Sequence, residues 1–182
     1  MRRSTDGGQT FEPARAILSD HRPSLISAGP RIAAGSDGLV CAVSDQVARP
    51  DASRDIIGQV VAVCSTDGGS TFGAPVPLGS EVLDINLPEG VIANTGVAVG
   101  AAPTGASLYV AFSTHTPGAI HADIAVRSSH DGGRTWSAPV TATPNDHITY
   151  FQPNIAVDAA GRVAVSAFAL CKLDLYAAGV PA

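Results

Sequence analysis

The chain has 182 residues, enough for one ordinary domain, and its 45% hydrophobic and 15% charged composition is that of a globular protein. A net charge of −5 with only 11 lysines and arginines argues against binding nucleic acid or an anionic membrane surface. No apolar run is long enough to span a bilayer, and the start, MRRSTDGG, shows no signal-peptide core.

Glycine (19) and proline (13) punctuate the whole chain, which suits many short strands joined by tight turns. The elements recur in a fixed order. STDGGQTF opens the chain at 4–11 and returns as STDGGSTF at 65–72 and SHDGGRTW at 129–136. The aspartates Asp6, Asp67 and Asp131 recur about every 60 residues, the signature of a repeat architecture. EPARAIL (12–18) follows the first copy as a short strand. PRIAAGSDGLVCAVS (30–44) then reads as strand, turn, strand, and GQVVAVCS (58–65) as a third strand running into the second octapeptide. GAPVPL (73–78) is the fourth. The plan repeats in 96–113, 122–129 and 137–142, and 153–168 begins it a third time. Four antiparallel strands in a meander make one β-propeller blade. No segment carries a sustained helical period, so the expected fold is all-β: a partial propeller of two full blades (30–78 and 96–142) and two partial ones (1–18 and 153–182).

Each octapeptide is expected to form the turn between the third and fourth strands. An Asp side chain can accept from backbone N–H groups ahead of it, and the glycines allow positive φ. Ser and Thr hydroxyls bond locally, and the final aromatic tucks under the turn as an anchor. That assigns structural roles to Ser4, Asp6, Gly8, Thr10 and Phe11, to Ser65, Asp67, Gly69, Thr71 and Phe72, and to Ser129, Asp131, Gly133, Thr135 and Trp136. Asp37 and Asp158 read as formers of the turns between first and second strands. Of the three cysteines, Cys41 and Cys64 fall on neighbouring strands and are expected as small buried thiols, since an odd count argues against a disulfide framework.

The motif S-x-D-G-G-x-T-F/W resembles the Asp box, or bacterial neuraminidase repeat, of the sialidase superfamily, and with the strand pattern the resemblance covers nearly the whole chain. It implies a six-bladed ring of which this chain holds about half, leaving open blade edges suited to self-association. It implies relatives that are secreted or cell-surface proteins. It also implies an exo-glycosidase scaffold acting on sialylated or related glycans, with the binding face opposite the Asp boxes. As this chain stands, the catalytic set is incomplete. The alternative is a non-catalytic propeller that binds a glycan or a protein.

Five loops form that expected face: 19–29, 45–56, 79–95, 114–121 and 143–152, which carry His21, His115, His121 and His147. In the family, three arginines grip a carboxylate, a Glu-activated Tyr is the nucleophile and an Asp is the acid/base. The family's Arg-Ile-Pro motif is matched by Arg31-Ile32, with Ala33 in place of proline. A second arginine is matched by Arg49 or Arg54, and Asp51 and Asp55 share that loop. Arg31 also aligns with Asn154 in the internal repeat, since PRIA and PNIA share a pattern. Tyr150 is the one tyrosine on the expected face, with no glutamate partner assignable. Neither a cofactor fingerprint nor zinc-type ligand spacing occurs, so no cofactor or metal is expected.

Overall fold

The computed structural model describes residues 1–18, 25–48, 57–82, 84–86, 92–94, 96–114, 121–144, 146 and 148–170. Twelve strands and no helix occur among them. β1 (Leu25–Ala34), β2 (Val40–Ala48), β3 (Ile57–Ser65) and β4 (Val76–Val82) form an antiparallel meander in sequence order. β5 (Asp84–Asn86) and β6 (Ile92–Asn94) make a small hairpin. β7 (Val97–Ala101), β8 (Leu108–Thr114), β9 (Asp123–Ser129) and β10 (Val140–Thr141) form a second four-stranded meander. β11 (Thr149–Val157) and β12 (Val163–Leu170) form a final hairpin.

The sheets stack through apolar faces. Leu39, Cys41, Val43, Val60, Ala62 and Leu78 of the first sheet meet Val97, Leu108, Val110, Phe112 and Ala125 of the second. The second sheet's opposite face, with Ala98, Ala111 and Ile124, receives Ile155 from β11 and Val165 from β12. A sheet covered on both sides needs apolar residues at consecutive positions rather than alternate ones. That is why Leu108-Tyr109-Val110-Ala111-Phe112 runs almost unbroken through β8. Each large side chain removed from water in this way contributes about 1.5–3 kcal/mol. The Arg127 guanidinium adds a polar tie, donating to the Leu78 carbonyl of the first sheet and to the Ser137 carbonyl at 2.6 Å.

The first strands share an irregularity. The β1–β2 register shifts between Ala28 and Arg31, and the β11–β12 register shifts between Phe151 and Asn154. Left-handed Gly29 (φ 57°) and Gln152 (φ 50°) mark these bulges, and Gly96 (φ 64°) holds the same place before β7. Pro30 and Pro153 follow directly, where the bulge spares the ladder hydrogen bond that proline cannot donate. The shared Pro-x-Ile-Ala pattern is thus the sequence trace of a repeated bulge.

Several expectations require correction. Cys41 and Cys64 are register partners on β2 and β3 and form a disulfide with an S–S distance of 2.07 Å, so the thiols are not free. Residues 12–18 form no strand. Phe11 is not tucked under its turn but is 53% exposed, with the Arg2 guanidinium 6.0 Å from its ring centroid. The strands also reach further than expected: β1 starts inside the 19–29 loop, β2 and β4 continue to Ala48 and Val82, and β5–β6 lies inside 79–95.

Two glycines of the octapeptides separate backbone strain from crowding. A Cβ on Gly7 (φ 74°) meets nothing within 4 Å, whereas one on Gly133 (φ 88°) lies 2.2 Å from Cys64 Sγ, a sulfur held in place by its disulfide. Gly7→Ala is expected to cost about 1 kcal/mol for the left-handed backbone alone. Gly133→Ala is expected to cost about 3 kcal/mol or more, because the sheets must move apart. Urea unfolding of the two variants beside the unmodified chain measures the difference.

Candidate functional site

The three octapeptides adopt one hydrogen-bond pattern. Ser4, Ser65 and Ser129 donate Oγ–H to Oδ1 of Asp6, Asp67 and Asp131 at 2.7, 2.7 and 2.8 Å. The same serine oxygens accept the N–H of Gly8, Gly69 and Gly133 at 2.8–2.9 Å. The N–H groups of Thr10, Thr71 and Thr135 donate to the aspartate Oδ1 at 3.0, 2.8 and 3.0 Å. The threonine hydroxyls donate to Oδ2, at 2.6 Å for Thr71 and 2.5 Å for Thr135. Both oxygens of each carboxylate therefore accept within their own turn. These donors, the threonine hydroxyl foremost, hold all three carboxyls well below the usual carboxylate range.

The aromatic positions differ among the copies. Trp136 packs against the core between the sheets and donates its indole N–H to the Gly133 carbonyl at 3.1 Å. Phe72 is half-buried beneath the Arg15 guanidinium, 5.4 Å from its ring centroid. The octapeptides meet the turns that follow the first strands: Gly68 N–H donates to the Gly38 carbonyl at 2.8 Å, and Gly132 N–H to the Ala106 carbonyl at 3.1 Å. One edge of the stack is thus made of turns whose polar groups are already committed to each other.

A different region is open. A groove of about 710 Å³ runs along the first strands, upstream of those turns, between β1, β7 and the β11–β12 hairpin. Arg31, Gln152, Asn154 and Phe168 are among the residues that line it. The repeated bulge places Arg31 and Asn154 at equivalent points of β1 and β11, paired with Val43 and Ser166. Arg31 is exposed, and among the described residues its guanidinium makes one hydrogen bond, 3.3 Å to the neighbouring Pro30 carbonyl, so further N–H donors remain for a ligand. A guanidinium that shares a groove with two side-chain amides is suited to an anion carrying hydroxyl groups.

Of the sequence candidates, Arg31 lies in this groove, while Arg49, Arg54, Asp51 and Asp55 lie outside the described residues. His21, His115 and His147 also lie outside them. Tyr150 is not a groove residue: it packs against the second sheet and donates its hydroxyl to Asp146 Oδ2 at 3.0 Å. Burial, and then the Asp146 carboxylate, raise its phenol above the ordinary tyrosine value. Gln152 closes the 143–152 loop of the expected face; Phe168 was not a sequence candidate and reaches the groove through its register pairing with Phe151. Among the described residues no group of His, Cys, Asp and Glu side chains could hold a metal ion, and no helix is long and apolar enough to cross a membrane.

No family model and no curated protein matches the sequence. Solved structures do. The fold is similar to that of Hadza microbial sialidase Hz136, with a TM-score of 0.50 and 19% identity, over 80% of this chain and 35% of that one. It is also similar to a protein of unknown function from Dyadobacter fermentans DSM 18053, with a TM-score of 0.61 and 18% identity, over 94% of this chain and 51% of that one. The chain therefore spans about a third and about half of these two structures. At these identities the likeness is one of fold.

The committed carboxylates make acid stability a direct test. Folding holds each carboxyl below its unfolded value of about 3.9, so the stability it contributes is complete above that pH and is lost as the pH falls through and below it. Asp67→Asn removes one such titration. The variant is expected to be less stable than the unmodified chain near neutral pH, and to lose less on going to about pH 3. Urea midpoints of both chains across that range check the expectation.

Proposed function

We propose that this chain is part of a sialidase-like β-propeller, with each four-stranded meander a blade and each octapeptide an Asp box closing it. In this reading the boxes are structural staples, and the groove along the first strands is where a glycan carrying a carboxylate binds. The observation that carries the proposal is Arg31. It is an exposed guanidinium on a bulge, lining a 710 Å³ groove with Gln152 and Asn154, in a fold similar to that of a sialidase. The guanidinium would pair with the carboxylate, the amides with ring hydroxyls, and Phe168 would lie against an apolar sugar face.

Binding without turnover is the form of this function that the described residues favour. Among the described residues Arg31 is the one arginine lining the groove, and no carboxylate lines it. Tyr150, held protonated beside Asp146, is the reverse of an activated nucleophile. The glycan is thus held, and its glycosidic bond is left intact by this chain.

Isothermal titration with sialyllactose and with lactose tests the reading. Sialyllactose is expected to bind and lactose to bind far more weakly. Arg31→Ala is expected to cost roughly tenfold or more in sialyllactose affinity, the scale of a lost charged hydrogen bond. Equal binding by the variant contradicts the proposal. Release of a fluorogenic sialic-acid conjugate above the Arg31→Ala background would contradict the non-catalytic form.

A further inference from the structure

The two four-stranded sheets come closest at a sulfur. Gly133 of the third octapeptide lies over the Cys41–Cys64 disulfide, so near that a Cβ there would stand 2.2 Å from Cys64 Sγ and 2.8 Å from Cys64 Cβ. The turn is held on both sides of this crossing. Gly133 N–H donates to Ser129 Oγ at 2.9 Å, and the Gly133 carbonyl accepts the Trp136 indole N–H at 3.1 Å. Gly132 N–H ties the same turn to the Ala106 carbonyl at 3.1 Å. Trp136 packs on the shared core that contains Cys41. Octapeptide, indole and disulfide therefore form one seat between the sheets.

The two cysteines are not equally covered. Cys41 is 0% exposed, whereas Cys64 is half-buried and lines a groove of about 430 Å³ between the second and third octapeptides. Thr71, Phe72, Gly133 and Arg134 line it too. A thiolate arriving along this groove meets Cys64 and not Cys41, and the exposed Arg134 guanidinium favours an incoming anion. The bond also sets how much space the pair needs. Unbonded heavy atoms rest about 3.5–4 Å apart, far beyond a covalent sulfur–sulfur bond. Cys41 is enclosed by the core, so that separation falls on Cys64, which already lies against Gly133.

We propose that the Cys41–Cys64 disulfide is a thiol-exchange site, entered at Cys64 by a small dithiol, and that opening it unseats the octapeptide at 129–136 from the first sheet. One thiolate of the dithiol attacks Cys64 Sγ. The Cys64–Cys41 bond breaks, and Cys41 leaves as a thiolate that takes a proton from water. The second thiolate then attacks the dithiol sulfur bound to Cys64, closing an oxidised ring. Cys64 leaves and is protonated in turn. Two electrons pass from the dithiol to the cysteine pair, and the two protons lost by the dithiol balance the two gained. Trp136, the chain's single tryptophan, sits in the seat that moves and reports on it. The inference goes beyond the glycan reading and is tested without any glycan.

The full chain carrying Cys171→Ala, in which Cys41 and Cys64 are the remaining cysteines, is treated with dithiothreitol in the absence of denaturant. Iodoacetamide labelling and mass spectrometry are expected to find two added groups. Trp136 emission is expected to shift to the red while the far-ultraviolet β spectrum is retained. With glutathione in place of the dithiol and an early acid quench, peptide mapping is expected to find the mixed disulfide on Cys64. A further variant adding Cys41→Ala and Cys64→Ala is expected to show no emission change with dithiothreitol. The labelling, emission and mapping results on the Cys171→Ala chain decide the matter even if that variant does not fold. Reduction that requires prior unfolding in urea overturns the proposal. So does reduction with Trp136 emission unmoved, loss of the β spectrum on reduction, or glutathione found on Cys41.

Discussion

The β7–β10 sheet buries both of its faces, Leu108, Val110 and Phe112 against the first sheet and Ala111 and Ile124 against the terminal hairpin. Most other features follow from that requirement. Strands covered twice have no polar side, so charged and hydroxyl groups are displaced to turns and edges. Backbones on facing sheets must come close, so the turns that cap one sheet need residues without side chains where they cross the next. Gly133 over the Cys41–Cys64 disulfide is the tightest of these crossings.

At 65–72 and 129–136 the octapeptides also answer a local problem that the stacking creates, whereas the exposed copy at 4–11 holds the same hydrogen-bond pattern without a sheet against it. A turn pressed against a neighbouring sheet cannot rely on water for its backbone N–H groups. Serine, aspartate and threonine satisfy those groups from within, and their oxygens are fully used in doing so. The acidic residue that the repeat makes conspicuous is thereby withdrawn from chemistry. The groove along the first strands has the opposite character. There a bulge breaks the ladder, a guanidinium is left with few protein partners, and side-chain amides stand near it.

Much of this was legible in the sequence because repetition supplies its own control. The octapeptides, the doubled apolar strands and the order of the elements each appear more than once, and the sheets follow that order. The failures have specific causes. Cys41 and Cys64 were read by count, but cross-strand register decides whether two cysteines can bond, and composition does not reveal the register of β2 against β3. Residues 12–18 carry strand-like composition without a strand: Glu12 and Arg15 donate backbone N–H groups to the Arg3 and Met1 carbonyls, too few bonds to make a ladder. Phe11 stays exposed, with the Arg2 guanidinium beside its ring. Arg31 was found through a motif, whereas Gln152 and Phe168 enter the groove only through the β11 bulge and its pairing partner, which no single-residue signal marks.

Amide hydrogen exchange resolved by residue tests the dependence on stacking most directly. If burial between neighbours orders the chain, the amides of Val43, Val60, Leu108 and Val110 exchange slowest and through a common opening. Those of β12 exchange quickly in dilute solution, because its side chains are mostly exposed and among the described residues it pairs with β11 alone. Uniform protection across β2, β8 and β12 in dilute solution, or rapid exchange in the shared core of the first two sheets, would contradict the account.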